Sequence, residues 1–493
     1  MMTRRFFIGG LASAVSLGPR RLFSAPNGAF SARKPLLSFG VLSDVHVCLD
    51  KGGERLHPEY TTETLTKAFS WFRDNGADAV VIAGDMAHSG LAGELKALAD
   101  AWFKVFPGDK APDGHPVERV FVFGNHDWSS PGRAKIVFAD EKVRNENLLV
   151  NNPRKWWDAI FHEEWTPFFD KEVKGYRFIG AHWHRGGCSG KNERFTKGMK
   201  EFYAGRKGLL DPSKPFFHIQ HPHPRGTVHG PGVWGQDDGV STGILSAFPN
   251  AISFSGHSHT SLTDERSIWQ GGFTAIGCAS LRDVSLGIPG VIDMPPYGFE
   301  NARGHGHEKK TDALKAMEIP FRKNCQQGQF TRVFSDCVVI SRREFITGTA
   351  ICDDLVMPLP VAEKKPFAFA PRAAKALAPE FPKDAKLGVK KVKAKLRGRK
   401  EKADAWELTI PAATAARGAR AGVFEITADG KDGKKFPFAL ADETARFPAT
   451  DPRTTRPVIF RVACERVPAE DVTFTVRAVS CWGKKSAPLV GSL

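Results

Sequence analysis

Five short fragments of this 493-residue chain end apolar runs with side chains that ligate metals or move protons. They are Asp44-Val-His46, Gly84-Asp85, Gly124-Asn125-His126-Asp127, His221 and Gly256-His257-Ser258-His259. Residues two apart on an extended segment share a side, so Asp44 and His46 can address one centre. Carboxylate and amide oxygens mixed with imidazole nitrogens suit Zn, Mn, Fe or Co rather than a thiolate-loving metal. Any one fragment alone reads as an ordinary polar turn or a satisfied histidine. Together, in order, with glycine just before the ligand in three of them, they fit a two-metal centre better than chance. No Ser or Cys motif offers a competing nucleophile.

The elements needed to hold these fragments can be read around them. Apolar strand-like runs occupy 36–43, 77–85, 120–123, 175–184, 214–224 and 250–259, and each carries its polar residues at its C-terminal end. Helical spacing of Leu65, Phe69 and Phe72 predicts a helix over 59–75, and a second falls at 91–105. Strands alternating with helices predict a layered α/β sheet, whose sites lie at the C-terminal strand edges. Residues 337–345 and 347–360 read as a closing β-hairpin. An insert over 129–174 carries Trp156, Trp157 and Trp165, which fit core or flap packing, or an apolar wall for a leaving group. The segment 363–385, rich in Pro, Ala and Lys, reads as a linker. Beyond it, over 386–493, short alternating strands predict an all-β sandwich.

Composition limits the partners. The formal charge of +16 favours anionic ligands. It is uneven, since residues 363–402 hold 14 Lys or Arg against 4 Asp or Glu, which fits a solvated linker or strand edge. No basic stripe interleaves with stacking aromatics, so specific nucleic-acid binding is not expected. The chain opens with Arg4-Arg5, Phe7 and a mild Gly/Ala-rich apolar run, which resembles a twin-arginine export signal over residues 1–32. That implies a periplasmic or extracellular protein, and no later run is long and apolar enough for a transmembrane segment in the mature chain. Eight cysteines are compatible with disulfides but show no CxxC spacing and imply no particular pairing.

The ordered pattern D-x-H, G-D, G-N-H-D, H, G-H-x-H resembles the calcineurin-like metallophosphoesterases, over about residues 36–360. The resemblance implies a four-layer α/β/β/α sandwich, here over 33–362. It implies one metal held by Asp44, His46, Asp85 and His259, and another by Asp85, Asn125, His221 and His257, with Asp85 bridging. It further implies hydrolysis of phosphomonoesters or phosphodiesters, lipid phosphoesters included, by a hydroxide shared between the metals. His126 is expected to protonate the leaving oxygen or to stabilise charge on the phosphoryl group, and Asp127 to orient that imidazole. His182 and His184 are candidates to contact substrate, with structural roles equally open. Purple acid phosphatases, within the same superfamily, place a Tyr ligand where this chain has His88, which argues against an iron–tyrosinate centre. The C-terminal strands, with Trp406 and Phe474, resemble a fibronectin type III module. The competing reading is a non-catalytic binding protein on the same fold, with the β module mediating attachment.

Overall fold

The computed structural model describes residues 24–25, 28–57, 62–128, 131–184, 192–231, 233–286, 325–396, 400–415, 420–468 and 471–493. The Arg4-Arg5 motif and the apolar run after it therefore lie outside the described residues; of the span 1–32 only 24–25 and 28–32 are described. Fourteen strands build the first part of the chain: β1 (Ser24–Ala25), β2 (Leu37–Leu42), β3 (Ala79–Ala83), β4 (Glu118–Val122), β5 (Phe168–Val173), β6 (Tyr176–Ala181), β7 (Phe216–Ile219), β8 (Ala251–Ser255), β9 (Ile268–Gln270), β10 (Thr274–Gly277), β11 (Gln327–Val333), β12 (Cys337–Glu344), β13 (Thr349–Ala350) and β14 (Asp354–Pro358). One sheet runs in the order β1-β14-β12-β11-β2-β3-β4, with β13 added to β12; the other runs β5-β6-β7-β8-β10-β9. Within each sheet the strands that carry the site are parallel: β2-β3-β4 in the first and β6-β7-β8-β10 in the second. Their C-terminal ends therefore open on one edge.

The strand sequences dictate the layering. Along β2, alternate residues Leu37, Phe39 and Val41 face the second sheet and meet Phe178, Phe217 and Phe254 in a dry core. The opposite face of the first sheet packs on helices Glu63–Asp74 and Ala92–Val105 through Phe69, Phe72, Leu95 and Trp102. Helix Glu193–Ala204 covers the outer face of the second sheet through Phe195, Met199 and Tyr203. This is the expected α/β/β/α order. The first helix comes within van der Waals reach of the sheet because Gly40 carries no Cβ, which would collide with the Phe72 ring.

Two features were read incompletely. The aromatic insert is core: Trp157 and Phe161, on helix Pro153–Phe161, bury against Phe123, and Trp165 packs beside them. The segment read as linker carries helix Phe369–Lys375, whose Arg372 donates to the carbonyls of Glu265 and Ile268. The C-terminal part is all-antiparallel. A three-stranded sheet (Gly388–Lys395, Lys402–Ile410, Val458–Ala463) and a four-stranded one (Lys435–Ala441, Ala421–Gly430, Val472–Ser480, Leu489–Gly491) share a core of Trp406, Leu408, Phe424, Ile426, Phe460 and Phe474. The basic run Lys390–Lys395 is thus an edge strand, its charges blunting an otherwise open ladder. Among the described cysteines, Cys48, Cys278, Cys325 and Cys337 are buried thiols. No helix among the described residues is long and apolar enough to cross a membrane.

Candidate metal centre

The ends of β2, β3, β4, β7 and β8 converge, and the fragments named from the sequence meet there. Asp44, His46 and His259 form one group; Asp85, His221 and His257 form a second. In the first, His259 Nε2 lies 3.0 Å from Asp44 Oδ1 and 3.2 Å from His46 Nε2. In the second, His221 Nε2 lies 3.2 Å from Asp85 Oδ2 and 3.1 Å from Asn125 Oδ1. Asp85 Oδ2 is also 3.6 Å from His46 Nε2, so this one carboxylate oxygen faces both groups.

The outer nitrogens are engaged so that the inner ones turn inward. His221 Nδ1 pairs with the Ala83 carbonyl at 2.8 Å, and His259 Nδ1 with the carbonyl and Oδ1 of Asp283, each at 2.9 Å. A donated Nδ1–H fixes the ring and leaves Nε2 for a cation. Asp44 Oδ2 accepts from Ser43 Oγ and from the His257 N–H, and Asp85 Oδ1 accepts from the His126 N–H. Asp44 Oδ1, by contrast, is buried and accepts no hydrogen bond. A buried carboxylate oxygen without a donor is costly; a cation at this point satisfies it, and the donor set of O and N atoms fits such an ion.

The glycines explain how five strand ends come this close. A Cβ at Gly84 would enter the His221 ring, one at Gly124 the Asp85 carboxylate, and one at Gly256 the side chains of Ser43 and Asp44. Each glycine is the gap into which another site residue fits. Backbone strain gathers at the same place. Asp44, His46, Asp85, His257 and His259 all sit at positive φ, between 50° and 70°. Such conformations cost about 1–3 kcal/mol each and are retained where a site demands them.

Several expectations change. Asp127 does not reach the His126 ring. Its buried carboxylate accepts the N–H groups of Gly124 at 2.7 Å, Ala87 at 2.6 Å and Met86 at 3.2 Å, tying the loop after β4 to the loop after β3. Burial and the nearby Asp85 push its carboxyl up to about 8. What orients His126 is the backbone of His88, whose carbonyl lies 2.8 Å from His126 Nδ1. His182 and His184 do not line the site as substrate contacts. His182 accepts the Phe123 N–H at 2.9 Å within a cage of Phe123, Trp157, Trp165 and Phe169, and His184 packs among Trp128, Trp165, Phe168 and Phe195. Between them Trp183 turns the other way, 5.8 Å ring to ring from His257. Strand alternation contained that signal, since residues flanking a site-facing side chain point away. Trp234 covers His257 from 4.5 Å, and nothing local in the sequence marks it. Arg133, Arg282 and Asp283 also join the site without a motif. His223, outside the expected ligand set, is spent on Ser255 and Ser258 hydroxyls, each at 2.8 Å.

The charges are strongly coupled. Burial opposes ionisation of His259 and His221, but the carboxylates outweigh it: Asp44 and Asp283 hold His259 up at about 10, and Asp85 and Asp44 hold His221 at about 9. Burial, with His126 for the first and His221 for the second, pushes His46 and His257 down to about 3. Asp44 and Asp85 are held well below the usual carboxylate range by these imidazoles, against burial.

The fold and site define a metallophosphoesterase-like architecture. Residues 37–261 match the model of the calcineurin-like phosphoesterase family. Among solved structures it is similar to a purple acid phosphatase from yellow lupin seeds (12% identity, 66% of this chain and 54% of that one, TM-score 0.39). It is also similar to a predicted phosphoesterase from Streptococcus pneumoniae (10%, 65% and 97%, TM-score 0.24) and to Vps29 complexed with zinc from Entamoeba histolytica (9%, 65% and 99%, TM-score 0.27). The chain spans about half the length of the lupin phosphatase. No curated protein matches it.

The neighbouring carboxylates favour the protonated forms of His259 and His221 in the metal-free site, so an entering cation competes with those protons. Adding Mn²⁺ to chelator-treated protein at pH 7.5 is therefore expected to release about two protons per chain. Calorimetry in buffers of different ionisation heat reads that number, and His259→Ala should lower it by about one. Uptake without proton release would contradict the inward-facing assignment.

Proposed function

We propose that this chain is an exported phosphoester hydrolase holding two metal ions. Asp44, His46, Asp85 and His259 would hold one, and Asp85, Asn125, His221 and His257 the other. The observation that carries the reading is the buried Asp44 Oδ1, without a hydrogen-bond donor, amid inward-turned imidazole nitrogens. Two such ions, of Mn, Fe, Zn or Co, supply Lewis acidity toward phosphoryl oxygens and a nucleophile at neutral pH.

The chain's own residues do the remaining work. Asp44, Asp85 and His221 are buried, whereas Asn125, His126, His257 and His259 keep part of their surface, so substrate enters over these four side chains. His126 is pinned at Nδ1 by the His88 carbonyl, and its Nε2 lies 4.0 Å from Asp85 Oδ2, at the rim of both groups. Burial and the Arg133 guanidinium lower its pKa, while Asp85 raises it. An arriving phosphoryl dianion offsets Arg133 and lets His126 take the proton that it then delivers to the leaving oxygen. Trp183 and Trp234 shield the His257 side from water. The substrate class supported is a small phosphomonoester or phosphodiester.

His126→Ala should keep both metals and lose about 10²–10⁴-fold in kcat on an alkyl phosphoester, whose alkoxide needs a proton. The loss on a nitrophenyl ester should be smaller, because the phenolate leaves unaided. Equal losses, or loss of a metal, would contradict the acid role. Export rests on the Arg4-Arg5 segment; changing both to Lys should retain the precursor in the cytoplasm, as read by fractionation, and unchanged secretion would remove this part of the proposal.

A further inference from the structure

His259 is oriented by a part of the chain that lies beyond the strand ends. Its Nδ1 is 2.9 Å from both Oδ1 and the carbonyl oxygen of Asp283, and Asp283 sits in the segment after β10. This segment runs beside the stretch that carries His259. Thr260 and Ser285 form a parallel bridge, and the Ser285 N–H donates to the His259 carbonyl at 2.7 Å. The two strips must keep this register for Asp283 to meet His259 Nδ1. The C-terminal β part clamps both of them through the turn Glu443–Arg446. On the His259 strip, Thr263 Oγ1 donates to the Ala445 carbonyl at 2.5 Å. On the Asp283 strip, Arg446 Nη1 donates to the Val284 carbonyl at 3.3 Å, and Phe447 packs with Val284 and Cys325. Gln327 locks the joint: its Nε2 donates to the Arg446 carbonyl at 2.8 Å, and its Oε1 accepts the Leu262 N–H at 2.7 Å. Arg446 is only 1% exposed, so these bonds form away from competing water, where they are stronger. The second metal group is anchored elsewhere. His221 Nδ1 pairs with the Ala83 carbonyl on β3, and the His257 N–H donates to Asp44, just past β2.

We infer that Arg446, on the C-terminal β part, is a positioning residue for His259, acting through the Val284 carbonyl and Asp283. This rests on the two-metal reading, in which His259 Nε2 holds one ion. A carboxylate behind a ligating imidazole fixes the ring and its tautomer and strengthens the ligand. Here that carboxylate sits one residue from the carbonyl that Arg446 holds. The β part therefore completes one metal position and leaves the other to the two sheets. Its role at the site is to set one ion's affinity, and it touches neither ion nor substrate.

The test uses full-length protein, stripped with chelator and titrated with Mn²⁺ by calorimetry, with elemental analysis after desalting. Wild type should take up about two ions. Arg446→Met, similar in length but without donors, should weaken one site about tenfold or more and leave the other within about twofold of wild type. Arg446→Lys should fall between. A double-mutant cycle assigns the site. In a His259→Ala background Arg446→Met should lower Mn²⁺ affinity no further, whereas in a His257→Ala background its effect should persist. Phe460→Leu, a change in the β core away from the clamp, should leave both affinities as in wild type, which separates positioning from general loosening. Should Arg446→Met not fold, Arg446→Lys and Thr263→Val are held to the same criteria. Unchanged affinities in the folded variants, equal weakening of both sites, or a further loss in the His259→Ala background overturns the inference, while two ions in wild type leave the parent reading standing. A wild type that takes up fewer than two ions overturns the parent reading, and the inference falls with it.

Discussion

Everything in this structure depends on keeping two carboxylates, Asp44 and Asp85, ionised where water does not reach them. Their burial alone favours protonation, and the imidazoles of His46, His126, His221 and His259 are folded around them to oppose it. That arrangement is crowded. It exists because three glycines leave room for neighbouring ligands, and because five of the ligating residues accept left-handed backbone. The surrounding core supplies the energy. Two sheets and three layers of apolar contact hold the strand ends in place, and the strain is spent only where they meet.

The same logic explains how the rest of the chain bears on the site. His259 is oriented by Asp283, and the next residue, Val284, has its carbonyl held by the buried Arg446 of the C-terminal part. Gln327 donates to the Arg446 carbonyl at 2.8 Å, Thr263 Oγ1 to that of Ala445, and Trp482 Nε1 to Glu265. The all-β part thus braces the segment between β8 and β9 and the segment after β10, which carries Arg282 and Asp283. A brace of this kind acts on geometry, since none of its residues reaches the ligand nitrogens.

Much of this was legible from sequence because strand ends are local. An apolar run that stops at Gly-Asp or Gly-His announces both a parallel strand and the residue it presents, and the alternation within 36–43 and 250–259 gives the buried faces. What was not legible depends on distant contacts. Asp127 looks like a partner for the adjacent His126, yet its acceptors are filled by backbone N–H groups 40 and 41 positions away or across a tight turn. His182 and His184, at a strand end, look like substrate contacts, but the aromatic insert folds over them and leaves Trp183 facing the centre. Arg133 lies on the short helix Pro131–Val137 and Arg282 in the segment after β10, neither marked by a motif; only the fold brings them to one imidazole. The basic run 390–395 fits the strand-edge reading of its charges, with its partner Lys402–Ile410 supplied by the fold.

The central claim is that Asp85 serves both groups at once. The direct measurement is elemental analysis of purified wild type and Asp85→Asn, with folding checked by circular dichroism. The account predicts about two metal ions per wild-type chain and a clear loss at both positions in the variant, because one carboxylate oxygen faces His46 and His221 together. Full retention of both ions by a folded Asp85→Asn protein would contradict it.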